Sequence, residues 1–318
     1  MKIVFLFLNF LICFSYLLDQ IRKDIINIVL LYLPKRETID ILKLGIEMSK
    51  VKEEYSMTEP EIAYFIFEWI TQNIQSDCIS INKGNSSTDA ATTYKEGKGG
   101  PIGISELFNT LSSFFNIESN TILGLTKIDT FFNKQVIEVQ EHAWNYILID
   151  NKYYLLDATL GGGYCYQKNT FYKKHTDFYF GTTPEIFIRL HFPNDNKWQL
   201  LPEIITKDEF KSMVYIYDEF YSLGFRSIYP DKQNFNKDRV KIRLTHYNTI
   251  DDFFENYELN YMKSFNDSSM ESGTNLNVNK VSNGVYEFIY YPQENVRYDL
   301  YVKNRETLRP YNLVTFGN

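Results

Sequence analysis

The chain has 318 residues, 44% of them apolar, with 25 Tyr and 25 Phe, which is enough for two domains and a large aromatic core and excludes a disordered chain. Its 33 basic and 40 acidic residues give a formal charge of −7 without a basic block, so no nucleic-acid partner is expected. Four His and three Cys show no ligand-spaced cluster and no phosphate-binding loop appears, so no metal and no cofactor is expected.

In chain order, Lys2 and the apolar run Ile3 to Ile12, with Cys13 and Ser15 at the small-residue positions, predict a secretory signal peptide over residues 1–15. An uncleaved anchor is the alternative, and would give the only membrane contact. A second apolar run, Ile25 to Leu33, is too short to span a bilayer and predicts a buried or membrane-surface helix within residues 16–36. Residues 37 to 50 have helical spacing. Thr58-Glu59-Pro60-Glu61 is a capping box with proline in the first turn, and Ile62, Phe65, Ile66, Trp69 and Ile70 continue it as an amphipathic helix. Residues 82 to 100, polar and glycine-bearing, read as a long loop. Ile104, Leu107, Phe108 and Leu111 then predict a helix that opens near Pro101, where a missing N–H costs nothing.

Strand signals start near Thr121 and lead to the most informative feature, His142-Ala143-Trp144-Asn145 followed by Asp157-Ala158-Thr159. Residues 142 to 149 and 152 to 159 are aromatic and β-branched runs around Asp150-Asn151, a two-residue hairpin turn. In that register His142 lies opposite Thr159 and diagonal to Asp157 on the same face, within side-chain reach. A carboxylate so placed fixes the tautomer of an imidazole and stabilises its cation, which is the orienting role in a Cys- or Ser-type triad. A buried structural His with its acidic partner has the same signature, and both readings stay open at this point.

From about Thr58 to Phe210 the chain resembles the transglutaminase-like superfamily, and specifically its kyphoscoliosis-peptidase branch. The resemblance is carried by Trp69-Ile70-Thr71-Gln72-Asn73-Ile74, Thr93-Tyr94-Lys95-Glu96-Gly97-Lys98-Gly99, His142-Ala143-Trp144-Asn145 and Leu156-Asp157-Ala158-Thr159. Tyr179-Phe180, Pro184-Glu185-Ile186-Phe187-Ile188, His191-Phe192-Pro193 and Trp198-Gln199-Leu200-Leu201 follow in order. It implies a papain-like α+β core with helices packed on an antiparallel sheet over residues 37–210. It also implies a nucleophilic Cys in a Gly-x-Cys-x-Gly-Tyr segment entering a helix, with His142 and Asp157 as the other triad members. Laid on this chain, that segment matches Gly103, Leu107 and Phe108 but puts Pro101 at the Cys and Ile104 at the Tyr. Proline has no nucleophilic group. Ser105, Cys78 and Cys165 are the residues that could stand in for the thiol. Their structural readings are a first-turn helix residue, a residue just beyond a helix, and a residue in a Gly-rich loop.

Beyond residue 210 the pattern changes to short strands, with a linker expected over 211–238 and a β-sandwich-like domain over 239–318. Runs at Arg239 to Tyr247, Phe254 to Met262, Gly284 to Tyr291 and Tyr298 to Lys303 alternate with turn residues, and Asn283-Gly284 is a hairpin turn. The Tyr-rich strands are read as a packed sheet face, with a partner-binding face as the alternative. Cys78 and Cys165 could pair in an oxidising compartment, and sequons stand at Asn85-Ser86-Ser87 and Asn266-Asp267-Ser268. The functional expectation is a secreted, catalytically inactive transglutaminase-like protein that binds a protein or peptide. The competing expectation is an active cysteine-peptidase or transglutaminase-type enzyme with a displaced nucleophile.

Overall fold

The computed structural model describes residues 21–129, 137–166, 169–230, 240–247, 253–265, 270–271, 275–291, 296–307 and 309–316. The expected signal peptide and the Asn266 sequon lie outside the described residues. Two compact units emerge, one of residues 1–126 and 141–204, the other of 127–140 and 205–318.

The first unit is α+β, as the sequence predicts. Helix α1 (Lys23–Leu30) buries Ile26 and Val29 in the main core, so the second apolar run is part of the fold. None of the described helices is long and apolar enough to cross a membrane. Helix α2 (Ile41–Glu54) is capped by Asp40, whose carboxylate accepts from the Lys43 N–H. It begins and ends a few residues later than its periodicity suggests. Helix α3 (Glu59–Asn73) opens on the predicted capping box, with the Glu61 carboxylate accepting from the Thr58 N–H at 3.0 Å. Its apolar positions, among them Phe65, Ile66, Trp69 and Ile70, are all but fully buried.

The stretch expected as one long loop is more structured. Helix α5 (Ala90–Glu96) occupies its middle, helix α4 (Cys78–Asn82) ends at its first residue, and the two-residue strand β2 (Lys98–Gly99) near its end pairs in parallel with β1 (Gln75–Ser76), which precedes it. Asp77 and Asp89 cap the two helices through their carboxylates, local contacts that a purely apolar periodicity does not register. Helix α6 (Pro101–Ser113) follows, with Gly100 as its N-cap and proline in the first turn.

Strands β3 (Glu118–Asp129), β4 (Ile137–Ile149) and β5 (Lys152–Leu156) form the centre of a sheet in the order β8-β5-β4-β3-β9, where β8 is Phe180–Thr182 and β9 is His191–Pro193. Asp150 and Asn151 both have positive φ, 50° and 58°, as a type I′ hairpin turn requires. Ile149 pairs with Lys152 and Asn145 with Leu156, the register read from the sequence. Alternation along β4 separates two cores. Ile147 and Ile149 join α3 and α6 residues on one face, while Trp144 packs with Ile122, Leu155 and Phe187 on the other.

Strand β5 ends at Leu156 rather than at Thr159, because Asp157 caps a short helix, α7 (Ala158–Gly162). A Cβ on Gly161 would stand 2.5 Å from the Phe67 ring, so a side chain there would force α7 away from α3. The hairpin β6 (Gly163–Tyr166) and β7 (Thr170–Lys173) carries Cys165, which forms a disulfide with Cys78 at the start of α4. Cys165 thus sits in a strand and Cys78 at a helix start, where a loop and a post-helix position were expected. Helix α8 (Pro184–Phe187) lies between β8 and β9.

The second unit holds two antiparallel sheets. One runs β10-β18-β17-β13-β14, with β10 Tyr215–Ile216, β13 Tyr257–Phe265, β14 Met270–Glu271, β17 Val296–Asn304 and β18 Pro310–Phe316. The other runs β11-β12-β16-β15, with β11 Phe225–Tyr229, β12 Val240–His246, β15 Asn279–Ser282 and β16 Val285–Tyr290. Strand β12 alternates buried Val240, Ile242 and Leu244 with exposed Lys241 and Arg243, as a half-buried strand does. Tyr286 and Tyr298 are buried within the sheets. Of the stretch 211–238, expected as a linker, residues 231–238 lie outside the described residues, and the rest instead contributes the end of α9 (Lys207–Ser212), β10, α10 (Asp218–Ser222) and β11 to this unit. Its Tyr, Asp and Ser content resembles linker composition, but Phe220 and Phe225 stack at 5.1 Å and are fully buried. A last short helix, α11 (Phe253–Asn256), precedes β13, and its Phe253 ring touches both Phe225 and Tyr257.

Candidate functional site

Of the residues singled out from the sequence, His142 and Asp157 are brought together directly. The hairpin register sets His142 near the end of β5, and the turn into α7 brings Asp157 beneath it. His142 Nε2 lies 2.7 Å from Asp157 Oδ2, with both side chains buried. The other oxygen, Oδ1, accepts the Thr159 and Leu160 N–H groups at 2.8 and 3.0 Å, so the carboxylate is fixed by the helix it caps. Thr159 therefore enters the site through its backbone.

A third residue joins them. His191 Nε2, on β9, lies 2.8 Å from the same Asp157 Oδ2. Burial alone would raise the Asp157 carboxyl, yet attraction and hydrogen bonds from His142 and His191 hold it well below the usual carboxylate range. Burial pushes the His191 imidazole down, against the opposing hydrogen bond to Asp157. Trp144, on the same face of β4 as His142, meets His191 edge-on at 5.0 Å, and Phe187 stacks on His191 at 4.0 Å. The triplet His191-Phe192-Pro193 is visible in the sequence only as a family marker. Its 34-residue separation from Asp157 hides the contact.

The Nδ1 atoms of His142 and His191 are buried; that of His142 has no hydrogen-bond partner among the described residues, and the His191 ring lies beside the Phe187 main chain. For a general base, one ring nitrogen is held by the orienting carboxylate and the other faces the nucleophile. Here the first half of that arrangement is complete.

The remaining motif residues serve the scaffold. Asn145 Nδ2 donates to Ser105 O at 3.0 Å and to Asn109 Oδ1 at 2.8 Å, tying β4 to α6. Ser105 Oγ donates to Trp144 O at 3.1 Å and pairs with Thr121 Oγ1 at 2.9 Å, so its hydroxyl is committed to packing α6 against the sheet. Trp69 is a core residue stacked on Tyr94 at 5.8 Å. Gly103 permits a close approach, since a Cβ there would stand 2.6 Å from Ser87 O and 2.3 Å from Thr93 Oγ1. Segment 86–87 therefore lies against the first turn of α6, where Pro101 is half-buried.

Residues 48–158 match the family described as the transglutaminase-like superfamily, and that segment contains α6, His142 and Asp157. The segment is a transglutaminase-like domain. Human kyphoscoliosis peptidase is 29% identical over 183 residues, covering 55% of this chain and 27% of the relative. The mouse protein of the same name is 29% identical over 174 residues, covering 52% and 26%. The chain thus matches about a quarter of the length of these curated relatives. Among solved structures, a red sea bream transglutaminase aligns over 93% of this chain and 58% of its own, at 8% identity and a TM-score of 0.32. His191 lies beyond the matched segment of the transglutaminase-like domain.

Proposed function

We propose that this chain is a secreted transglutaminase-like protein that does not cleave or crosslink, and that its domain binds a protein or peptide. The observation that carries the reading is the buried His142 ring, held at Nε2 by Asp157 and without a partner at Nδ1. By the sequence resemblance Pro101, in the first turn of α6, stands where the family has its nucleophile. A thiol there would be activated by the helix dipole and the imidazole; a pyrrolidine ring offers neither proton nor lone pair.

The competing reading, an enzyme with a displaced nucleophile, has little support from the stand-ins. Ser105 Oγ is buried and bonded to Thr121 and Trp144. Cys78 and Cys165 are joined to each other, which removes both thiols and also favours an oxidising compartment. The domain is tested with purified protein in amine-incorporation assays on Gln substrates and in peptidase assays. No turnover above a His142→Ala control is expected. Turnover by wild type that disappears on replacing Ser105 would establish the competing reading. The binding role is tested by capture of peptides from a library on wild type, with saturable binding of a defined set of peptides as the expected result and no capture above a denatured control as the contrary one.

A further inference from the structure

Nothing in the sequence spacing suggests a metal site, yet the fold gathers His142, Asp157 and His191 so that one ligand atom from each lies within 4.8 Å of the others. Their side chains are 2%, 0% and 0% exposed. Both imidazoles aim the same ring nitrogen at the same oxygen of an ionised carboxylate. Held by hydrogen bonds alone, both Nε2 atoms must carry protons, which leaves the buried Nδ1 of His142 a bare acceptor without a donor and sets that of His191 beside the Phe187 main-chain carbonyl, which can only accept.

We infer that these three residues form a binding site for a zinc-type divalent cation, ligated by His142 Nε2, Asp157 Oδ2 and His191 Nε2. Two imidazoles and a carboxylate are a borderline donor set suited to zinc or cobalt(II), and three protein ligands with one further position for water is a common zinc arrangement. Tetrahedral ligation at ~2.0–2.1 Å sets the ligand atoms about 3.3 Å apart. The observed 2.7 and 2.8 Å separations reach that by opening about half an ångström each, and the two imidazole nitrogens, which lie within 4.8 Å of each other, must come to the same spacing. Asp157 is held for monodentate ligation, because Oδ1 is engaged by the first turn of α7. When the cation takes the Nε2 lone pairs, each ring proton moves to Nδ1; for His191 the Phe187 main-chain carbonyl is placed to accept it. The cation would tie β4, α7 and β9 together. It would also occupy the nitrogen through which Asp157 orients His142, so a metal-bound chain cannot use that pair as an acid–base couple. The inference stands whether or not the domain binds a peptide.

The test uses the full chain stripped with a chelator and titrated with Zn2+ by calorimetry and with Co2+ by visible absorption. Expected are one saturable site per chain, tetrahedral-type cobalt bands, and affinity weakened roughly 100-fold or more in His191→Ala, since even an outer-shell partner is worth about 10–100-fold. His175→Gln should bind as wild type does. If His191→Ala does not fold, nitrogen NMR of the wild-type imidazoles replaces it: two rings should shift together at Nε2 on adding Zn2+. No saturable binding by wild type, affinity kept in His191→Ala, imidazole signals unmoved, or binding lost in His175→Gln would overturn the assignment.

Discussion

At the scale of single residues, Asp157 accepts from His142, His191, and the Thr159 and Leu160 amides. Asp157→Ala would leave buried donors from three elements without an acceptor, and a loss of about 3–5 kcal/mol is expected in urea unfolding. Asp157→Asn, which keeps the shape and one acceptor oxygen, should lose less. Glu61 adds a pH dependence. Its hydrogen bond from Arg22 outweighs burial and holds the carboxyl down to about 2, from 4.5 ordinarily. A depressed folded-state pKa means stability that is present above the unfolded value and lost as pH falls through the folded one. Stability should therefore decline between pH 4.5 and about 2, and an Arg22→Gln variant should show a shallower decline by circular dichroism. Equal slopes would remove Arg22 from the account. His142 and Asp157 could be found from the sequence because a hairpin makes their separation short. His191 could not, since α8 and β8 intervene and only the folded sheet brings β9 alongside β3.

Among the elements, α6 holds a motif glycine that serves packing rather than chemistry. Gly103→Ala would press a methyl group against Ser87 O and Thr93, and should cost about 1–3 kcal/mol as segment 87–93 shifts. A variant as stable as wild type would mean that the segment yields freely. The disulfide from α4 to β6 spans 87 residues. In the chain-entropy account, closing a loop of that length is worth about 4–5 kcal/mol, so reduction should lower the urea midpoint of the first unit markedly, and Cys78→Ser with Cys165→Ser should do the same without reductant. The β4–β5 register was legible because Asp150-Asn151 permits a type I′ turn and the strands alternate cleanly. Helices α4 and α5 were not. Each is short and starts from an Asp cap within polar sequence, so no apolar stripe announces it.

For the whole molecule, the chain divides into two compact units at residues 204/205, whereas the change in patterning is read near residue 210, so the second unit begins earlier than composition suggests. Residues 211–229 look like a linker and instead carry buried aromatics on α10 and β11. Limited proteolysis should therefore nick the exposed stretch Pro202 to Ile204 before it cuts within Phe225–Tyr229, as read by mass spectrometry of the fragments. First cleavage inside β11 would contradict that boundary. The central proposal is that the domain keeps an assembled His142–Asp157 pair and lacks the group the pair would activate. Its most direct test is the ionisation of a thiol introduced as Pro101→Cys in chelator-treated protein, followed by the pH dependence of iodoacetamide alkylation. The account predicts a thiol titrating at least about one unit below the ordinary value of ~8.5, with the shift reduced when His142→Ala is added. An ordinary thiol, indifferent to His142, would contradict it.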